Sequence, residues 1–250
     1  MQGHRAISRL LFRTGTAQSG SRELPEEVAV ALTFNGTTQA VMMATPADLT
    51  DFAYGFAKTE GIAKPEEIQS VDLAETRLTN RRRTMAGPVG CGLCGIDSLE
   101  EATRKVPPVP KSDFKMTPDE VMGAISQLPA AQPLHDVTRA VHAAGLWSGK
   151  LLATREDVGR HNALDKLAGH LIRNPQPVGA IVLTSRVSID MVQKVAALGL
   201  PMLIAVSAPP AQAVVMAEAA GITLIGLARP DRFEAYTHSH RIAKESAHVA

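Results

Sequence analysis

The sequence predicts an α/β fold built on an open, largely parallel sheet, and three observations carry that expectation. Residues 180–184, 202–206 and 222–227 are near-continuous apolar runs, the pattern of parallel strands covered on both faces. Residues 189–198 and 211–220 lie between them with helical character, so strand and helix alternate as crossover units require. Ahead of them, Pro107, Pro108 and Pro110 interrupt regular structure and mark a junction. The 250 residues suffice for a sizeable core. They divide into a flexible basic tail over 1–22, a smaller β-hairpin and helix region over 23–110, and an α/β domain over 111–250.

Taken in order, the tail holds Arg5, Arg9, Arg13 and Arg22 with no acid before Glu23 and no apolar core of a secretory signal. An organelle transit peptide would share that composition; a disordered basic tail is the simpler reading. Val28, Val30, Leu32 and Phe34 then alternate as one buried face of a strand. Asn35-Gly36 is a type I′ hairpin signal, and Val41 and Met43 continue the alternation on the return strand. Thr45 is placed to cap a helix with Pro46 in its first turn, Leu49, Phe52, Ala53 and Phe56 on its buried side, and Gly61 at its end. Strands are expected over 68–73 and 75–80, and a short helix over 96–104. Thr117-Pro118-Asp119-Glu120 forms a capping box that opens a helix to about Leu128. Residues 137–144 and 151–154 read as strands and 163–173 as a helix.

Composition narrows the function. A formal net charge of +1 gives no overall electrostatic case for a nucleic-acid or membrane partner, and no apolar run approaches the roughly 18 residues of a membrane span. Two cysteines are too few for a disulfide scaffold, so a reducing cytoplasm is the expected setting. Those two stand together in Gly90-Cys91-Gly92-Leu93-Cys94-Gly95, just after Arg81, Arg82 and Arg83. A thiol attacks as its thiolate, and nearby cations favour that form. The glycines strip bulk from around both sulfurs, so Cys91 and Cys94 read as accessible nucleophiles rather than core residues. A zinc deaminase would need a His-x-Glu upstream, and the only earlier histidine is His4, so no metal is expected. A thioredoxin-like dithiol would sit between a strand and a long helix, a context this motif lacks.

The predicted sheet locates a second feature. Ligands of open α/β sheets bind beyond the carboxyl ends of the strands. The loops expected there, 155–162, 185–188, 207–210 and 227–232, bring Arg155, Arg160, Arg186, Arg229 and Arg232 to one edge beside helix N-termini, which suits a phosphate-bearing ligand. Solvated rim arginines paired with Glu156, Asp157 and Asp231 are the alternative. Asp157 and His161 read as a helix cap and a packed first-turn residue ahead of an acid–base pair.

The motif Gly90–Gly95, the run Arg155-Glu156-Asp157-Val158-Gly159-Arg160-His161-Asn162-Ala163, Val206-Ser207-Ala208-Pro209 and Tyr236-Thr237-His238 resemble the formate dehydrogenase accessory sulfurtransferases, the FdhD family. The resemblance runs from about Leu24 to the end. It implies a three-layer, cytidine-deaminase-like α/β fold without its zinc, in a homodimer. It implies a sulfurtransferase that takes sulfane sulfur from a cysteine desulfurase and carries it to the molybdenum cofactor, bis-molybdopterin guanine dinucleotide, for formate dehydrogenase. Cys91 would hold the persulfide with Cys94 as companion. Leu227, Ala228, Arg229, Pro230, Asp231 and Arg232 would bind the nucleotide end of the cofactor, for which GDP is a mimic. A non-catalytic cofactor chaperone with a redox-gating dithiol is the competing expectation.

Overall fold

The computed structural model describes residues 3–73 and 106–243. The cysteine motif, the arginine run 81–83 and the elements expected over 75–80 and 96–104 lie outside the described residues. Among the described residues no helix is long and apolar enough to cross a membrane.

The centre is a six-stranded sheet of β5 (His142–Trp147), β6 (Leu151–Asp157), β7 (Ala180–Leu183), β8 (Met202–Ala205), β9 (Thr223–Arg229) and β10 (Arg232–Ala235), in the order β10-β9-β8-β7-β5-β6. Strands β7, β8 and β9 are parallel, as their apolar runs predict. The sheet as a whole is mixed rather than largely parallel, because β5 runs against both β6 and β7, and β10 runs against β9. Short connections account for this: only three residues separate β5 from β6 and two separate β9 from β10, and a tight turn can only reverse the chain.

Helices α4 (Arg160–Arg173), α5 (Ile189–Ala197) and α6 (Ala211–Ala220) follow β6, β7 and β8 and cover one face. They pack there on Ile181, Leu183, Leu203, Ala205 and Leu224. The opposite face, with Ala180, Val182, Met202, Ile204 and Ile225, packs on α2 (Pro118–Gln127) through Val121, Ala124 and Ile125. Successive residues of the central strands therefore enter two different cores, which is why neither face reads as polar. The capping box of α2 is present, Glu120 N–H donating to Thr117 Oγ1 and Thr117 N–H to Glu120 Oε2.

Before the sheet, β3 (Val28–Phe34) and β4 (Thr37–Ala44) form the expected hairpin, with Asn35 and Gly36 both at positive φ. Helix α1 (Leu49–Thr59) closes a small core of Leu32, Ala44, Phe52 and Phe56 against it. Ala40 and Met42, not Val41 and Met43, face that core. A register shift after Leu32 inserts one extra residue in the return strand, and one residue flips every later side chain. Helix α1 begins after Asp48, which takes left-handed φ of 53°; Thr45 lies outside it and bonds elsewhere. Residues 68–73 form no strand. The segment 137–141 is likewise not strand: α3 (Pro133–Thr138) occupies its start and Arg139, at φ 59°, ends that helix.

The largest departure is at the amino terminus. Residues expected as a disordered tail form a ten-pair antiparallel ribbon, β1 (His4–Arg13) and β2 (Thr16–Pro25), turned at Gly15 with φ 76°. Nearly all of it is exposed, so no buried face leaves a period-two signature to read.

Candidate functional site

Two strands antiparallel to β5 on either side are parallel to each other, so β6 points the same way as β7, β8 and β9. The turns after all four strands therefore meet one end of the molecule, the end where open sheets bind ligands. At one corner of that end is the β9–β10 turn. Leu227, Ala228 and Arg229 close β9, Pro230 and Asp231 make the turn, and Arg232 opens β10. Arg229 and Arg232 are register partners and both exposed. Like charges directly opposite on adjacent strands cost a few tenths to about 1 kcal/mol unless something negative lies between them. Among the described residues the one carboxylate within 4 Å of the Arg232 guanidinium is Asp231, at 3.5 Å and in solvent, and Glu234 lies on the same cavity, bonded to the Tyr236 hydroxyl. Arg229 Nη1 donates to the Val206 and Ala228 carbonyls at 2.6 and 2.8 Å, which fixes one end of its guanidinium.

A small cavity of about 100 Å³ opens between Leu227, Arg229, Arg232, Phe233 and Glu234. That volume suits one phosphate-sized group, well short of the roughly 300–1,000 Å³ of pockets that enclose a whole ligand. The turn is pressed onto the 207–210 loop: Leu227 N–H donates to Ser207 O, and a Cβ on Gly226 would fall 2.8 Å from Pro209 Cδ and 2.9 Å from Ser207 O. Leu227 itself sits at φ 49°, a left-handed conformation that costs an L-residue roughly 1–2 kcal/mol. Backbone held in that state by its surroundings is a rigid platform.

The other corner is structural. Arg155 does not face the ligand end: its Nε donates to Asp51 Oδ2 at 2.9 Å, and its Nη1 to the Thr154 carbonyl. Asp157 is fully buried and accepts four hydrogen bonds, from Thr45 N–H, Gly159 N–H, Asn162 Nδ2 and Lys166 Nζ. A carboxylate so satisfied is an anchor and not an acid or base. His161 pairs instead with Asp190 on the next helix, Nε2 to Oδ2 2.5 Å, tying the start of α4 to the start of α5. Burial pushes the Asp190 carboxyl up, but the hydrogen bond and charge of His161 outweigh it and leave the group below its ordinary value. Beside them His142 is held below 6.5, by burial first and then by Arg160, His135 and His161. Of the arginines predicted at this end, Arg186 is exposed and Arg160 half-buried.

Sequence reasoning passed over Asp190, Lys166 and Lys194. Their signal is faint but present: each is a charged residue on the inward, apolar side of an amphipathic helix. Lys194 Nζ reaches both oxygens of Asp165 at 3.0 Å and also contacts Glu60. Burial opposes its charge, but Asp165 and Glu60 outweigh burial and raise its pKa above the ordinary 10.5. Cys91 and Cys94 lie outside the described residues. The chain re-enters at Val106, which packs on the main core, and Val109 N–H donates to Ala220 O at the end of α6.

The chain is similar to known proteins along almost all its length. The model of the FdhD/NarQ family matches residues 25–243. The sulfur carrier protein FdhD of Agrobacterium fabrum is 47% identical over 260 aligned residues, covering 96% of each chain. The protein of that name from Brucella abortus is also 47% identical, over 95% of this chain and 96% of its own. That of Bordetella bronchiseptica is 44% identical, over 96% and 95%. Among solved structures, a candidate formate dehydrogenase accessory protein from Desulfotalea psychrophila superposes with a TM-score of 0.80 at 26% identity, covering 96% of this chain and all of that one. A family model spanning that range, together with relatives at such identity over nearly whole chains, leaves one assignment: the chain belongs to the FdhD/NarQ family.

Proposed function

We propose that this chain is a sulfurtransferase that serves formate dehydrogenase as a sulfur carrier. Its Cys91 thiolate attacks the sulfane sulfur of a desulfurase persulfide, taking that sulfur and leaving the desulfurase cysteine as a thiol. The persulfide on Cys91 is then carried to bis-molybdopterin guanine dinucleotide before the dehydrogenase receives it. The single observation that carries the reading is the 47% identity, over 96% of both chains, to a protein named as a sulfur carrier. The setting is cytoplasmic, the fold a zinc-free relative of the cytidine-deaminase layers, and the working unit a homodimer.

The β9–β10 turn supports the cofactor half of the proposal. Arg229 and Arg232 line a phosphate-sized cavity together with Glu234, whose carboxylate is taken up by the Tyr236 hydroxyl. Guanidinium forks suit phosphate oxygens, and the cofactor's nucleotide end supplies such oxygens. Leu227, Ala228, Pro230 and Asp231 shape the platform on which the two arginines stand.

The test is direct. Incubation with a cysteine desulfurase and free cysteine adds one sulfur to Cys91, read by mass spectrometry of the intact chain and of its peptides, and the Cys91→Ala chain takes none. A wild-type chain that stays unmodified, or a Cys91→Ala chain that still yields active formate dehydrogenase in cells, overturns the carrier reading in favour of a chaperone.

A further inference from the structure

The β1–β2 ribbon is built unlike the rest of the molecule. Ten residue pairs project from the body; Glu26 N–H to Gly3 O and His4 to Glu23 close the ribbon at its base, and Arg22 Nη2 donates to the Thr138 carbonyl of the body. A two-stranded ribbon exposed on both faces is marginal in water, and a third strand with an apolar face is what makes such a unit stable. Here Phe12 is 73% and Leu10 60% exposed, an arrangement no core explains.

The register sorts the side chains by chemistry. Directly opposed residues share a face, so Arg5, Arg9, Arg13 and Arg22 all lie on one side of the ribbon with Ile7, Leu11 and Leu24 between them. The other side carries Ala6, Ser8, Leu10, Phe12 and Ala17. Residues 4–25 hold four arginines and one carboxylate, Glu23, which lies on the other side, whereas the whole chain has a net charge of only +1. Arg5 lies 3.8 Å from Glu26 and Arg22 is bonded to Thr138, so Arg9 and Arg13 are the pair that faces solvent. The ribbon is thus a cationic arm on a body that is net negative without it. Towards the base β2 leans on α3, but the outer edge of β1 pairs with no strand among the described residues. Every second N–H and C=O of β1 points off that edge.

We propose that the outer edge of β1 is a docking edge for an extended acidic segment of the protein that exchanges sulfur or cofactor with this chain. The segment adds as a third strand: its backbone pairs with β1, its carboxylates meet the arginine face, and its apolar residues cover Leu10 and Phe12. Main-chain pairing supplies affinity, and the alternation of charge and apolar groups supplies register and choice of partner. A second copy of this chain fits less well, because two such arms brought together oppose like charges. The proposal rests on the sulfur-carrier reading for the identity of the partner.

The experiment measures binding of purified cysteine desulfurase and purified formate dehydrogenase, each from the same genome, to immobilised wild-type chain and two variants over a salt series. Arg9→Glu with Arg13→Glu reverses the charged face. Ser8→Pro removes one N–H within β1 and stiffens the edge against strand addition. Both changes sit in solvent, and thermal melting checks that the body is intact. The expected result is a loss of about tenfold or more in affinity for one of the two proteins with both variants, a shallower salt dependence for the charge reversal, and unchanged sulfur loading of Cys91 from a small-molecule persulfide. Equal affinities for wild type and variants overturn the docking edge and leave the sulfur-carrier reading standing. Variants that alter only the self-association of the chain overturn it in favour of a second copy. A wild-type chain that binds neither protein overturns this inference together with the reading beneath it.

Discussion

Arg229 and Arg232 were legible in the sequence as a pair near a strand end, because a parallel strand must finish at the ligand side and the residues following it are fixed by counting. What the sequence could not supply was their register, which places one guanidinium opposite the other. Arg155 was equally conspicuous in the sequence, yet Asp51 and Thr154 claim it, and nothing local to residue 155 announces a partner about a hundred positions earlier. The same blindness hid Asp190, whose partner His161 lies on another helix. The register of the arginine pair has a consequence that separates binding from stability. Replacing Arg232 by Gln removes one charge from the pair, so repulsion across the turn falls and the melting temperature should stay level or rise slightly. The same change removes a charge-assisted contact to phosphate, worth about 1.5–3 kcal/mol, so GDP affinity measured by calorimetry should drop roughly 10- to 100-fold. A drop in stability with unchanged GDP binding would make Arg232 a structural residue.

Helix α1 is fastened to α4 by a repeat that only the paired elements reveal. The two run antiparallel, and positions four apart on each meet in turn. Asp51 takes Arg173 Nη1 at 2.6 Å, Gly55 meets Gly169, and Thr59 Oγ1 donates to Asp165 Oδ1 at 2.6 Å. The glycines let the helix backbones touch: a Cβ on Gly169 would lie 1.8 Å from the Asp51 carbonyl oxygen, and one on Gly55 1.7 Å from that of Asp165. The sequence marked α1 clearly by its apolar spacing, but a glycine inside a helix reads only as a weak point until its partner is known. Helical propensity alone favours Gly169→Ala by about 1 kcal/mol. Overpacking opposes it by about 1–3 kcal/mol or more, and here the obstruction is backbone, which cannot rotate aside. Packing should win. Chemical denaturation of Gly169→Ala is expected to show a net loss of at least about 1–2 kcal/mol, whereas a gain would mean that the helices separate at no cost. The amino-terminal ribbon was missed for the converse reason: its pairing is local, but it buries nothing, so hydrophobic periodicity never registers.

At the scale of the whole molecule, a few buried and half-buried groups among the described residues tie stability to pH. His142 and His170 are both held below the ordinary histidine value of 6.5. Burial is the first cause in each case, followed by Arg160 for His142 and Arg155 for His170. In the unfolded chain both take up a proton near 6.5, but the folded chain resists until lower pH. Their contribution is therefore whole above pH 6.5 and is lost as the pH falls through their folded values. Asp190, held below 3.8 once His161 outweighs its burial, extends the same loss at lower pH. Glu156 works the other way, since burial raises it, and protonating it favours the folded chain. On the alkaline side Lys194 is raised above 10.5 by Asp165 and Glu60 against its burial, so its contribution is whole below 10.5 and disappears as the pH rises through its folded value. The curve should be a plateau with an acid shoulder starting near pH 6.5, and comparing wild type with His142→Gln cancels the contribution of Glu156, which both share. Thermal melting at pH 7.5, 6.5 and 5.5 should fall for the wild type and fall less for the variant, in which one of the two proton acceptors is gone. Parallel curves for the two proteins would mean that His142 is protonated as easily in the folded chain as in the unfolded one, and neither its burial nor the cluster of Arg160, His135 and His161 around it would then carry energetic weight.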